Sequence, residues 1–583
     1  MNLSKSYQDL VSASNHRIMI LDGSCAEMLE RMNLAEDVFR GGVLVNHPAD
    51  LNGCFDVLCF SAPDLVKNVH KSFLEAGSDF IRTNTFCTNY FLLQRYNLED
   101  CAYDISKACA RVAREAIDEF NKGLISVGKI PMRKFAVGTV AQVPSDSATF
   151  MELVKAYGDV VAGLLDGGAD ALFVESVADS VSCRACLYAI ETECERRGEL
   201  YPIMVSCSID KAGRLPTGLS LRAFWHCVSS YPLFSFGFEG VLSGAEMLPF
   251  LHDISDIHVR ISALPKLSFE NADAAHAEMK WVKDYGERGL VNVIGGGFGF
   301  APEHILATSR AIAGKKLRAI PSRTKSLLLS GTEALEVSPT NHYFAVGNAQ
   351  AKNKTHVLLM NLDEAVASES SAAGHPVMIY SSNWDILVAG MEGIAGKGIV
   401  NFISLKYGEE SFLEQASEIR KRGFAVVCKA FDEQGLATTY ERRTQVIERM
   451  YCLLIGKLNF PPEDILFDLN VLAIGTGEEE YANSAKDFIE TCKFVKSKLP
   501  FAHILADVRN LGVTFKDDKL LSEKVESVFM SFANRAGMDF AIVGDEILPA
   551  YENISAEERE LIENLIFNCS SDAVERLKAR ENK

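Results

Sequence analysis

The hydrophobic and polar positions of this chain alternate between two periods. Segments with apolar residues three and four apart, the spacing that lines one face of a helix, end in glycine and run at once into short stretches rich in β-branched and aromatic residues. The join is seen in EAGSDFIRTNTF, LDGGADALFVES, ERGLVNVIGGG, KRGFAVVCKAF and RAGMDFAIVGD. One such helix opens at Ser61-Ala62-Pro63-Asp64, with Ser61 as its expected cap, and carries Leu65, Val66, Val69, Phe73 and Leu74 on one face as far as Gly77. Helix and strand alternating at this length predict parallel strands joined by helical crossovers, hence an α/β fold. The first strand is expected at Arg17 to Leu21, with a helix through Cys25 to Met32 and a loop-rich stretch over residues 40–60 that suits a lid.

The pattern runs twice. After the first set, AGKKLRAIPSRTKSLLLSGTEALEVSPTNH gathers lysine, arginine, proline and turn residues and reads as a connector, with a boundary near residue 320. The second half supplies about eight further strand candidates, from Tyr343–Val346 to DFAIVGD. A length of 583 residues fits two (β/α)8 barrels in tandem, since such a barrel takes ~250 residues. The expected division is a first barrel over residues 1–320, a linker over 321–340 and a second barrel over 341–583. One link departs from the pattern: Val346 and His356 are too close for a helical crossover of a dozen residues. Either the second barrel lacks its first helix or these two strands do not pair in parallel.

Polar residues cluster where strands end: Thr83, Asn84 and Thr85; Glu175 and Ser176; Asp432, Glu433 and Gln434. In a barrel of this kind the site is built at the carboxyl ends of the strands. The stretch VNVIGGGFGFAPEHI adds a strand, three glycines (Gly295 to Gly297) and a helix opening on Pro302. It reads either as a tight turn or as an approach for an anion to bare backbone and a helix N-terminus.

Charge narrows the function. Asp and Glu number 78 against 59 Lys and Arg, a net charge of −19, which disfavours nucleic acid and anionic membrane surfaces. No stretch reaches the ~18 apolar residues of a membrane span and the first residues lack a signal-peptide core, so a cytoplasmic protein is expected. Fifteen scattered cysteines fit reduced thiols. The pair Cys183 and Cys186, on an expected helix, has no second pair to complete a metal site.

Taken together, the motifs resemble those of the N-terminal half of cobalamin-dependent methionine synthase, a homocysteine-binding module followed by a pterin-binding module. LDGSCAEML is similar to that family's DGAMGTML, RTNTF to ETNTF, FVESVAD to IETISD and GGGFGFAPEHI to GGCCGTTPEHI. In the second half PVMIYSSNWD, KGIVNFISLK, AFDEQGLATT, NFPPEDILFDLN and RAGMDFAIV follow the family's order. The resemblance implies a methyltransferase of the methyltetrahydrofolate and homocysteine type. It assigns substrate contacts to Asp22, Asn84, Glu175 and Gly296, and pterin contacts to Asn361, Asn401, Asp468 and Asn510.

The departures fall on the chemistry. The family holds zinc with three cysteines, and here Gly240, Gly297 and Phe298 stand at those positions, so zinc is expected to be absent. A metal-bound thiol is deprotonated outright, whereas a free one is mostly protonated at neutral pH. In the second half Tyr380 and Leu359 replace aspartates, Asn348 and Ala351 stand in a loop that reads GERTN in the family, and Asp507 and Arg509 add bulk beside the pterin positions. No DxHxxG cobalt-ligand motif is present, so cobalamin would have to come with a separate corrinoid protein. Two expectations follow: a methionine-synthase-like methyltransferase with altered chemistry, or a non-catalytic binding or regulatory paralogue.

Overall fold

A computed structural model describes residues 1–267, 272–338, 342–348, 355–363, 374–515, 517–568 and 576–577. The chain divides into two compact units, residues 1–324 and 325–583. Each contains a closed barrel of eight parallel strands.

In the first unit the strands are Met19–Leu21, Phe80–Arg82, Phe135–Ala141, Ala171–Val177, Ile203–Ile209, Leu233–Gly240, Arg260–Leu264 and Val293–Gly295. The last pairs with the first, Val293 opposite Met19 and Gly295 opposite Leu21, which closes the ring. Helices alternate with the strands as the sequence periods require. Pro63–Ala76 starts on a proline, buries Val66, Val69, Phe73 and Leu74, and stops at Gly77 in the left-handed region at φ 110°, which glycine enters without penalty. Its N-terminal cap is Ala62, not Ser61, whose hydroxyl turns back to donate to the Val57 carbonyl. The expected lid over residues 40–60 carries short helical turns, Phe55–Val57 and Leu58–Ser61, whose Leu58 and Cys59 are buried. It is held to the barrel by the Asn84 amide, which donates to the Phe55 carbonyl at 2.7 Å. Beneath the barrel the helix Lys5–Ser14 inserts Leu10 among the inward-facing Met19, Phe80, Phe135 and Met204.

In the second unit the strands are Phe344–Gly347, Val357–Asn361, Val377–Tyr380, Ile399–Ile403, Ala425–Lys429, Ile465–Asp468, His503–Asp507 and Phe540–Ile542. The short link resolves in favour of parallel pairing: Val346 lies opposite Val357 and Gly347 opposite Leu358. Within the expected linker, Leu327–Ser330 and Ala334–Val337 form an antiparallel hairpin. Its Leu327, Leu329 and Val337 pack against the inward-facing Val346, Met378, Ile399 and Phe540. The Ser330 N–H donates to the Lys397 carbonyl at 3.0 Å, just ahead of the strand that starts at Ile399, so the hairpin stoppers the N-terminal end of the barrel. That leaves the opposite end for a ligand.

Candidate functional sites

The first barrel holds a cavity of about 520 Å³ at the C-terminal ends of its strands. Asn84, Glu175, Glu239, Gly240, Gly297 and Phe298 all line it, each from the end of a strand or the turn that follows. Asp22 and Gly296 lie below it. What joins the two levels is Arg82, the last residue of its strand. Its Nε donates to Asp22 Oδ1 at 2.9 Å, its Nη2 to the carbonyls of Asp22 at 2.9 Å and Gly296 at 3.0 Å, and its Nη1 to Glu175 Oε1. The Arg82 backbone N–H takes the other Asp22 oxygen at 2.9 Å. The whole group is buried, Arg82 to 8 % exposure and Asp22 to 0 %.

Burial governs the proton affinities here. It pushes the Asp22 carboxyl up to about 6, despite the opposing pull of Arg82. Burial, with the Glu175 charge added, pushes Glu239 up to about 8. Arg82 is held above its ordinary value, since Glu175 and Asp22 outweigh the burial that would lower it. Glu239 Oε1 in turn accepts from the Ser176 N–H at 2.5 Å and hydroxyl at 3.1 Å. Ser176 sits at φ 58°, an uncommon conformation for a residue with a side chain. Asn84 Oδ1 and Thr139 Oγ1 are buried against this cavity without a hydrogen-bond partner among the described residues.

The glycine run is close-packing geometry. A Cβ at Gly295 would lie 2.5 Å from Leu21 Cβ, one at Gly296 2.2 Å from Phe300 Cβ, and one at Gly297 2.7 Å from the Leu264 carbonyl oxygen. The helix beyond is Pro302–Ile312. The backbone N–H of Gly299 donates to the Glu27 carboxylate at 3.1 Å and that of Ala301 to His304 Nδ1 at 3.0 Å, so side chains of two helices of this barrel meet the need an external anion would have met at these two groups.

The zinc positions can be tested against this geometry. Gly240 and Gly297 offer no side-chain donor atom, and Phe298 offers a ring, 58 % exposed, with Lys266 Nζ 5.6 Å from its centre. Cys25 lines the same cavity, but burial raises its thiol pKa, which disfavours the thiolate. Among the described residues no three His, Cys, Asp or Glu side chains are grouped to hold a metal ion. The donor set does not fit a thiolate-bound zinc. Cys183 and Cys186 are buried on the helix Ser180–Arg197.

The second barrel has its own cavity, about 510 Å³, again at the C-terminal strand ends. It brings together Asn401, Asp468 and Asn510, with Tyr380, Leu359 and Lys429 on its wall. Asn361 is not among the lining residues; its amide oxygen accepts from the Asp363 N–H at 3.1 Å. Asp468 accepts from the Asn470 N–H at 2.9 Å and lies 3.5 Å from Lys429 Nζ, and burial raises its carboxyl pKa. Asp507 and Arg509, also on the wall, pair with each other through two contacts of 2.8 Å. Asn348 is exposed and donates to Asp545 at 2.6 Å, and Ala351 lies outside the described residues. Asp432, expected at a site, lies in a short hairpin with Gly435 and Leu436 and pairs with Arg442 of the helix Tyr440–Leu458.

Sequence reasoning passed over Arg82, Glu239 and Lys266. For the first two the signal was present: Arg82 opens RTNTF where the family has ETNTF, and Glu239 stands in GFEG where the family has GLNC. What was missing was their proximity, since Arg82 meets Glu175 and Gly296 across separations of 93 and 214 residues.

Two tandem α/β barrels, each with a polar cavity at the carboxyl ends of its strands, define a pair of modules built for small molecules. The model of the homocysteine S-methyltransferase family matches residues 19–312, and the chain belongs to that family. A pterin-binding-enzyme model matches residues 355–544, and the two in this order are consistent with the methionine-synthase-like arrangement. Among solved structures the chain is similar to the homocysteine methyltransferase MmuM from Escherichia coli in its oxidized form, at 17% identity over 53% of this chain and 99% of that one, TM-score 0.41. The metallated form of the same protein matches at 17% identity over 52% and 99%, TM-score 0.41. A methyltransferase from Methanosarcina mazei matches at 12% identity over 53% and 98%, TM-score 0.31. Among the described residues no helix is long and apolar enough to cross a membrane.

Proposed function

We propose that this chain is a methionine-synthase-like protein that binds methyltetrahydrofolate in its second barrel and a small molecule in its first, without the zinc-activated thiol chemistry of its family. The observation that carries the reading is the convergence of Asn401, Asp468 and Asn510 on one cavity of about 510 Å³. An acid flanked by two amides offers the donors and acceptors that a pterin edge requires. Methyl transfer out of that site would use cobalamin on a separate corrinoid protein. A non-catalytic, regulatory role is the second reading, and the first barrel favours it: Gly240, Gly297 and Phe298 supply no metal ligand, and Arg82 already ties up Asp22, Glu175 and Gly296.

Calorimetric titration of the full chain with methyltetrahydrofolate tests the proposal. Saturable micromolar binding is expected, and its absence sinks the folate assignment. Metal analysis of the purified protein is expected to find zinc far below one per chain; a stoichiometric ion would overturn the reading of the first barrel.

A further inference from the structure

The floor of the first cavity has the chemistry of a cation receptor. Two carboxylates, Asp22 and Glu175, and two main-chain carbonyls, of Asp22 and Gly296, point at one place, and all four accept from the same guanidinium. Glu239 adds a third carboxyl close enough to act on Arg82 electrostatically. A planar cation with forked donors is the best match for such a set, because each acceptor is met along its lone pair. The cation present is a side chain of the protein itself.

We propose that Arg82 is a built-in occupant of the cation position in the first barrel and is thereby the residue that decides which ligands the cavity accepts. With the guanidinium in place, a ligand bearing an ammonium or guanidinium at that depth finds Asp22 Oδ1, Glu175 Oε1 and the Asp22 and Gly296 carbonyls already taken, and is repelled by like charge. Beside that ion network the floor offers a ligand of the intact protein the Asn84 amide oxygen and the Thr139 hydroxyl, both buried and lacking a partner among the described residues. Removing the Arg82 side chain leaves the acceptors of Asp22, Glu175 and Gly296 without their donor, and a forked cation of the right shape competes with protons for that place. The inference concerns the first barrel alone and holds whether or not the second binds folate.

Chemical complementation tests it. Full-length Arg82→Ala is titrated with methylguanidinium chloride and, separately, with ethylammonium chloride, by calorimetry and thermal melting, beside the wild type. The expected result is one saturable methylguanidinium site in the variant, roughly tenfold or more tighter than any in the wild type. The ion should recover part of the melting temperature lost on substitution, ethylammonium should be weaker, and adding Glu175→Gln should abolish the site. Equal titration of wild type and variant, or a folded variant with no saturable uptake, overturns the proposal. If Arg82→Ala does not fold alone, Arg82→Gln takes its place. Should neither fold, refolding yields that fail to rise with methylguanidinium would equally overturn it. Methyltetrahydrofolate titration of the same samples reports on the second barrel, so the two readings fail separately.

Discussion

At the scale of single residues, the first barrel is a case of charges answering one another. Glu239 is buried and its carboxyl is raised from 4.5 to about 8, first by burial and then by Glu175. The folded state therefore binds this proton more tightly than the unfolded chain, and stability from Glu239 is fully present below about 4.5 and is lost as pH climbs through 8. Glu239→Gln removes the titration while keeping the shape. Thermal melts of wild type and variant from acid to mildly alkaline pH are expected to diverge, the wild type losing stability with rising pH and the variant much less. Parallel curves would show that Glu239 does not carry the proton assigned to it. In the second barrel, where Asn401 is proposed to contact the pterin, Asn401→Ala is expected to weaken methyltetrahydrofolate by roughly tenfold, since one net hydrogen bond is worth about 1 kcal/mol or somewhat more. Calorimetry gives the ratio directly.

At the scale of elements, each barrel is closed from below by a different device. The first uses a helix, Lys5–Ser14, and its Leu10; the second uses the Leu327–Val337 hairpin. Leu329 is fully buried against strand residues of the barrel, so Leu329→Ala should cost about 2–5 kcal/mol, the range for deleting a packed leucine. Denaturant unfolding measures it, and a loss below about 1 kcal/mol would mean that the hairpin contributes little to the core. The contrast with the sequence is instructive. The barrel strands and their parallel order were legible because each glycine-stopped helix runs straight into its strand, a local signal that repeats. The hairpin was hidden inside what reads as a connector, because its strands are four residues each and are flanked by proline, glycine and charge. The Ser61 cap failed for a related reason: Pro63 sets where the helix begins, and the residue before it takes the cap position whatever its side chain.

At the scale of the whole molecule, a chain of two units with separate cores repeats one architectural rule, ligands above and a stopper below. Strand ends supplied Asn84 and Glu175, and the family resemblance supplied Asn401 and Asp468; all four line the cavities. The ion network around Arg82 was not legible, because it is assembled from four strand ends far apart in sequence, and only closure of the ring makes them neighbours. The stopper hairpin also bears on how the molecule can be cut. A fragment begun at residue 341, at the first barrel strand, would lose Leu327, Leu329 and Val337 and leave an oily hole where they had been. Such a fragment is expected to aggregate or melt early, whereas one begun at 325 keeps its stopper and should unfold cooperatively. The useful border for excision therefore lies ahead of the hairpin, and the few residues that read as a tether are in fact the bung of the vessel that follows.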